Sequence, residues 1–476
     1  MIEGLKPYPS YKPAELPTLD EVPSHWDQRR AKFLFREVDE RSQTGAEELL
    51  SVSHKTGITP RSQKNVTMFK AESYVGHKLC RPNDLAINTM WAWMGALGVS
   101  RHVGIVSPAY GVYRPTGRGG LVPAYTDALL RTPAFVHEYN RRSTGIQSSR
   151  LRLYPEEFLR IPLLVPPVGE QHAIAKFIDH ADRRIRRYIR AKQKLINLLE
   201  EQKQAIIHQA VTRGLSPDVR LKPSGIEWLG DVPEHWEIAR LGTHLLGVDQ
   251  GWSPRAAEGE LEETQWAVLS LSAIRRGRFD STALKPIPRE TIVPQGIELS
   301  DGDIVITRSN TRKLVGDVAI VKGSRRRTIM SDLMYRLRPK ASADSHYLLY
   351  SLLSRGCRLQ MEREARGSSG TMPKLSQRHV TGLLLALPPI EEQAAIAKNL
   401  HDAIVRLDSV SGSAMDEISL LREYRTRLIS DVVTGKLDVR EAAARLPDDP
   451  DPDEPDLVDD LDPTDDDLPP DEESDA

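Results

Sequence analysis

The sequence predicts an α+β protein built twice over: two mixed α/β domains separated by two long antiparallel coiled-coil helices, related by an internal pseudo-twofold duplication. Three observations predict it. Residues 166–215 return 222 positions later as residues 388–437, an apolar seam runs through both copies, and short β-like runs broken by turn residues fill the segment before each copy. The implied organisation is a first mixed domain over 1–165, a central helix over 166–215, a second mixed domain over 216–387, a distal helix over 388–446 and an acidic tail over 447–476.

The first domain opens on a proline-punctuated lead to Val22-Pro23-Ser24-His25-Trp26. Its β-like runs are Leu49 to Ser53, Asn83 to Asn88, Val103 to Val106 and Tyr110 to Arg114, which is the spacing of mixed sheet and loops rather than of helices. Basic, polar loops lie between them, notably Thr59 to Lys64 and Thr116 to Gly120, and loops of this kind can follow a phosphate backbone or enter a groove. His25 and His235 have no ligand-spaced partners in the sequence, and each adjoins a Trp that can anchor a chain end, so a structural role is expected for both.

The central helix begins after Pro166-Pro167, because a Pro-Pro pair can precede a helix but not continue one, and Glu170 puts a carboxylate in its first turn. Steps of four and three from Ile174 give Ile178, Ala181, Ile185, Tyr188, Lys192, Leu195, Leu199, Gln202 and Ile206, a seam with eight apolar positions in ten. The distal copy starts at Pro388-Pro389 with Glu392, and its seam runs Ile396, Leu400, Ala403, Leu407, Val410, Ala414, Glu417, Leu421, Tyr424 and Leu428. At about 1.5 Å per residue each helix is a rod of roughly 65 Å that needs a partner along its seam. Charge favours mutual pairing: residues 169–213 hold ten basic and five acidic side chains, against five and eight in 391–435.

Between the helices, Val232-Pro233-Glu234-His235-Trp236 repeats the first lead at an offset of 210. The most patterned stretch of the second domain is Asp301-Gly302-Asp303-Ile304-Val305-Ile306-Thr307, a turn and a buried strand, leading into the basic loop Arg308-Ser309-Asn310-Thr311-Arg312-Lys313. Asp84 to Asn88 is the expected counterpart of its start. Further basic clusters are Arg275-Arg276 with Arg278, Arg325 to Arg327, and the loop from Gly367 to Lys374.

Composition sets the class. With 39% hydrophobic residues and 476 positions the chain has room for two or three cores, and Cys80 and Cys357 are too few for a disulfide framework or a cysteine-based zinc site. A reducing cytoplasm is the expected compartment, and no apolar run is long enough for a signal peptide or a membrane span. The net charge of −2 hides a division: the tail carries 13 Asp and 3 Glu and no Lys or Arg, so residues 1–446 hold 65 basic against 67 − 16 = 51 acidic groups, a net of +14. That is the footprint of a protein meeting a polyanion, and the aromatic-poor tail is expected to be disordered.

Nucleotide-binding loops, dinucleotide fingerprints, metalloprotease motifs and the Asn/Asp-Pro-Pro-aromatic motif of amino-methyltransferases are absent, and Glu201-Gln202-Lys203, the nearest match to a nuclease motif, lies in the central helix. The combination of PPVGEQHAIAKFI (166–178), PPIEEQAAIAKNL (388–400), the two Val-Pro-x-His-Trp leads and DGDIVITRSNTRKLVGDVAIV (301–321) resembles the specificity subunit of type I restriction-modification enzymes over nearly residues 15–446. The first domain departs from that pattern where Asn88-Thr89-Met90-Trp91-Ala92-Trp93 stands in place of Thr307 to Arg312, so loop contacts do not transfer between the two.

The resemblance implies a subunit with no active site, whose two target-recognition domains each read half of a bipartite DNA site while the helices act as a ruler. It implies two adenine-modifying subunits docked on the repeated helices and a motor-nuclease subunit beyond them, with S-adenosylmethionine, ATP and Mg on those partners and no cofactor or metal here. The residues expected on DNA are Arg61, Lys64, Arg114, Arg118, Arg275, Arg276, Arg308, Asn310, Arg312, Lys313 and Lys374; those expected at partner contacts are Gln171, Lys176, Lys192, Gln202, Gln393, Lys398 and Glu417. Two other readings stand beside it: a coiled-coil adaptor for an acidic protein, and an enzyme too divergent to show its motif.

Overall fold

The computed structural model describes residues 5–63, 73–117, 120–145, 151–255, 257, 259–365 and 372–447. Lys64, Arg118, most of the Gly367–Lys374 loop and nearly all of the acidic tail lie outside them. The chain forms two compact units, residues 1–191 with 416–476 and residues 192–415. Each unit therefore takes one half of each long helix, Val168–Arg213 and Ile390–Val433, in addition to a mixed domain.

The two units repeat one framework. In unit 1 a four-stranded antiparallel sheet runs Phe35–Glu37, Gly111–Pro115, Leu85–Ile87, Leu97–Val99; in unit 2 the same order is filled by Leu245–Gln250, Met334–Pro339, Ile304–Thr307, Val318–Ile320. Leu85 to Ile87 and Ile304 to Thr307 occupy the same place, which is the correspondence expected from the Asp84 and Asp301 stretches. The turns that launch them both need a left-handed residue, met by Asn83 at φ 73° and by Gly302 at φ 93°. Beside each sheet, Asp27–Arg30 pairs with Pro162–Val165 and Glu237–Arg240 with Leu384–Leu387, delivering the chain to the Pro-Pro that starts each long helix. Two helices follow each sheet, Pro123–Leu130 and Pro133–Arg142 in unit 1, Ser345–Leu353 and Arg355–Glu364 in unit 2.

The core of each unit closes over the long helices. In unit 1, Ile174, Phe177, Ala181 and Ile185 are buried in one cluster with Leu428, Val432, Val433 and the domain's Trp26, Phe35, Tyr113 and Phe158. Ile207, Ala210 and Val211 share the unit 2 cluster with Ile396, Leu400 and Ile404. The helix halves run antiparallel in each. In unit 1 the Tyr125 hydroxyl donates to both Leu164 O and Val433 O, while Asp182 meets Arg425; in unit 2 Tyr347 bridges Ala386 O and Val211 O, while Lys203 Nζ lies 3.0 Å from Asp408.

The heptad seam needs correction. Tyr188 (50% exposed), Leu195 and Gln202 face solvent, and the buried apolar positions of the first helix are Ile174, Phe177, Ala181, Ile185, Ile207, Ala210 and Val211, with Lys203 buried beside them. Ile174, Ile185, Ile196 and Ile207 recur at eleven residues, or 3.67 per turn, a spacing nearer the 3.6 of a straight α-helix than the 3.5 that forces a left-handed supercoil. On the second helix Leu400, Leu407, Ala414, Leu421 and Leu428 hold, but Val410, Glu417 and Tyr424 give way to Ile404, Ile418 and Arg425.

Candidate nucleic-acid interface

The repeated motifs meet at the head of each long helix. In unit 1 the Glu170 carboxylate receives the Trp26 indole N–H (2.8 Å) and the Tyr8 hydroxyl (2.6 Å) on Oε1 and the His25 ring (2.8 Å) on Oε2. Unit 2 repeats the pattern with Glu392, Trp236 (3.1 Å) and His235 (2.8 Å). Burial and the neighbouring Glu170 charge push the Tyr8 hydroxyl far above its ordinary value, so it stays a donor. The histidines are thus structural, as expected, and the Val-Pro-x-His-Trp and Pro-Pro-x-x-Glu-Gln motifs are the two sides of one clamp.

Gln171 and Gln393 complete it, and here the expectation of partner contacts is corrected. Gln171 Nε2 donates to Pro166 O and Gly120 O while Oε1 accepts from Val122 N; Gln393 does the same with Pro388 O, Ser342 O and Asp344 N. Both side chains are buried with every polar atom used. Lys176 is also committed, its Nζ donating 2.8 Å to Leu446 O. Lys398, Gln202 and Glu417 lie on exposed helix faces, and Lys192 is half-buried.

The same test separates the arginines. Arg114 is held by Asp84 through two hydrogen bonds of 2.9 Å and by Glu40 at 2.7 Å, and its partner Asp84 is almost completely buried. The Arg114 hydrogen bond holds Glu40 below the usual carboxylate range. In unit 2 Asp303, at the place of Asp84, is tied by Arg336, which stands two residues out of register with Arg114 and also holds Asp249. Arg114 is thus committed to carboxylates of its own unit. Arg278 is likewise paired with Asp408 at 3.1 Å. Both cysteines are buried free thiols pushed up to about 12 by desolvation.

The remaining unit 2 candidates gather around the end of strand Ile304–Thr307. The Thr307 hydroxyl donates to Leu314 O and accepts from Asp317 N, closing the 308–317 loop. Arg358 pins the loop's base, donating to Val315 O (2.8 Å) and Lys313 O (3.0 Å), and Ser309 bridges Lys374 in antiparallel register. The Arg275–Arg278 hairpin turns at Arg276 (φ 47°), whose N–H donates to Asp317 at 2.9 Å; burial lifts that carboxyl above its usual range despite the Arg276 N–H. Arg275, Arg276, Arg312, Lys313 and Lys374 are left exposed on this frame and Asn310 half-buried, while Arg308 stacks 5.6 Å over Tyr335. Arg358 was missed because its sequence neighbours, in a helix 45 residues downstream, give no sign of the loop it holds.

In unit 1 the equivalent loop after Leu85–Ile87 is aromatic instead. Asn88 is buried and donates to the Tyr110 hydroxyl, Trp93 Nε1 donates to Met90 O, and Trp91 and Trp93 stack at 6.5 Å. Arg61 sits on a short turn at the end of the Gly57–Pro60 strand. Among the described residues no cluster of three or more His, Cys, Asp or Glu could hold a metal, and no helix is long and apolar enough to cross a membrane.

Residues 296–410, which include the unit 2 loop and the Glu392-Gln393 side of the second clamp, match the family model of the type I restriction modification DNA specificity domain. The chain resembles the specificity subunits of type I restriction enzymes. It is 26% identical over 212 residues to the specificity subunit of the type I restriction enzyme EcoEI of Escherichia coli, covering 44% of this chain and 35% of that protein. Against the MjaVIII specificity subunit of Methanocaldococcus jannaschii it is 24% identical over 305 residues, covering 63% and 66%. The chain thus spans about a third of the first of these specificity subunits and close to two thirds of the second. In fold it is similar to a chain from a structure describing complex assembly and conformational transition of the type I R-M system, with TM-score 0.62 and 15% identity over 87% of this chain and 98% of that one.

Proposed function

We propose that the chain is the non-catalytic DNA-reading subunit of a type I restriction-modification complex, each unit reading one half of a bipartite site. One observation carries this reading: the same four-stranded sheet order is built twice, and the loop at one equivalent position of it, after Leu85–Ile87 and after Ile304–Thr307, is Trp-rich in one unit and Arg/Lys-rich in the other. A rigid frame with interchangeable loops is the arrangement for presenting different side chains to different base edges. The net +14 of residues 1–446 supplies the phosphate attraction.

The long helices would offer exposed faces to two modification subunits, which bind S-adenosylmethionine and methylate a flipped adenine, and a motor-nuclease subunit would supply ATP- and Mg-dependent cleavage. The purified chain should retard duplex DNA with a steep salt dependence and transfer no methyl group. Retention insensitive to salt, or capture of an acidic protein in preference to DNA, would support the adaptor reading instead.

A further inference from the structure

One cleft in unit 2, of about 670 Å³, is lined by three guanidinium groups without an ion-pair or hydrogen-bond partner among the described residues: Arg312 from the loop, and Arg355 and Arg363 from the Arg355–Glu364 helix. A second hollow of about 430 Å³ shares its His208, Glu227 and Trp228 wall. Two ring nitrogens on that wall, His208 Nδ1 and Trp228 Nε1, are shut off from solvent with no hydrogen-bond partner. Buried donors rarely stay unmade, so the site is shaped for something that accepts from an indole N–H. Burial and the charges of Arg355 and Arg213 hold His208 below its ordinary value, which leaves a neutral imidazole. Arg363 lies 5.9 Å over the Trp228 ring, and Gly356 brings the helix against Trp228 so closely that an added Cβ would sit 3.2 Å from its carbonyl.

The wall is not part of the repeated framework. Shifted by 222, Arg355 becomes Pro133, Glu362 becomes Asn140, His208 becomes Ser430, and Arg363 becomes Arg141, whose guanidinium is tied to Glu138 at 2.8 Å. A feature that the fold does not need in unit 1 is free to serve a ligand in unit 2. Guanidinium groups match phosphate oxygens, while Glu227 and Glu362 would repel a bare anion but accept from hydroxyl or amino groups on the same molecule. We propose that this cleft binds a nucleoside phosphate, the phosphate on Arg312, Arg355, Arg363 and the Trp228 N–H, and the sugar hydroxyls or base amine on the two glutamates. Its volume lies within the range of small-ligand sites. The ligand's sugar-phosphate unit comes either from a free nucleotide or from a DNA strand. The free-nucleotide arm is independent of the DNA reading above, and the strand arm rests on it.

The test is calorimetric titration of the full chain with AMP, inorganic phosphate and a DNA duplex, repeated on Arg355→Ala/Arg363→Ala and on Trp228→Phe, which keeps the ring and removes the N–H. The site predicts AMP affinity falling about tenfold or more in the double variant and severalfold in Trp228→Phe. If AMP does not bind but duplex affinity falls by the same factor in both variants, the occupant is a strand nucleotide. Equal affinities for all three probes in wild type and Trp228→Phe, or displacement by polyglutamate and not by AMP, would overturn the proposal. AMP affinity that falls in the variants as predicted, together with no duplex binding by any form, would sink the DNA reading alone.

Discussion

Glu170 accepts from three side chains and its carboxylate is only 4% exposed, whereas Glu392 accepts from two and is 33% exposed. A carboxylate-to-amide change turns one acceptor into a donor facing a donor, and the penalty grows with burial. Glu170→Gln should therefore cost about 1–3 kcal/mol in urea unfolding, with Glu392→Gln costing clearly less; equal losses would mean that the two clamps are energetically the same. Arginine substitutions divide in the same way. Arg114→Ala strands the buried Asp84 charge and should destabilise the fold by about 3–5 kcal/mol. Arg312→Ala, on an exposed loop, should leave the melting midpoint in place and lower the slope of DNA affinity against salt by about one. A folded, DNA-impaired Arg114→Ala would return that residue to the interface.

At the scale of the element, the starts of both long helices were legible, but the distal one ends at Val433 rather than 446, and the register of the first was not. The Pro-Pro starts, the acidic first turns and the offset of 222 placed both, because each is a local rule of helix geometry. The seam went wrong because a 3.5 period and a 3.67 period agree over a few turns and diverge by half a turn over twelve. Ile207→Ala should cost about 2–5 kcal/mol, while Leu195→Ala should stay within about 0.5 kcal/mol. The heptad reading expects a loss at Leu195, so equal-sized effects in thermal unfolding would reinstate it. The strands were legible too: Leu50–Ser53, Leu85–Ile87, Gly104–Val106 and Gly111–Pro115 lie where alternation put them. Which loop residues are free was not, since Arg114 and Arg312 look alike until Asp84 and Glu40 are brought from 30 and 74 residues away.

For the whole molecule, the duplication is the organising fact, and it is deeper than the sequence repeat. Between the first lead and residue 120 the offset changes from 210 to 222, so identity alone loses the thread there. The matched four-stranded sheets and the paired clamps show one framework continuing across that gap, while the smaller sheets and the loops around it differ. That division of labour is the central claim, and methylation read directly in the cell tests it. N6-methyladenine should be mapped in cells carrying the native gene, a deletion, and a chimaera in which residues 15–165 come from a type I specificity subunit of different target. The account predicts a bipartite motif that vanishes on deletion and changes in only one of its halves in the chimaera. A motif that survives deletion, or a chimaera that alters both halves, would contradict it.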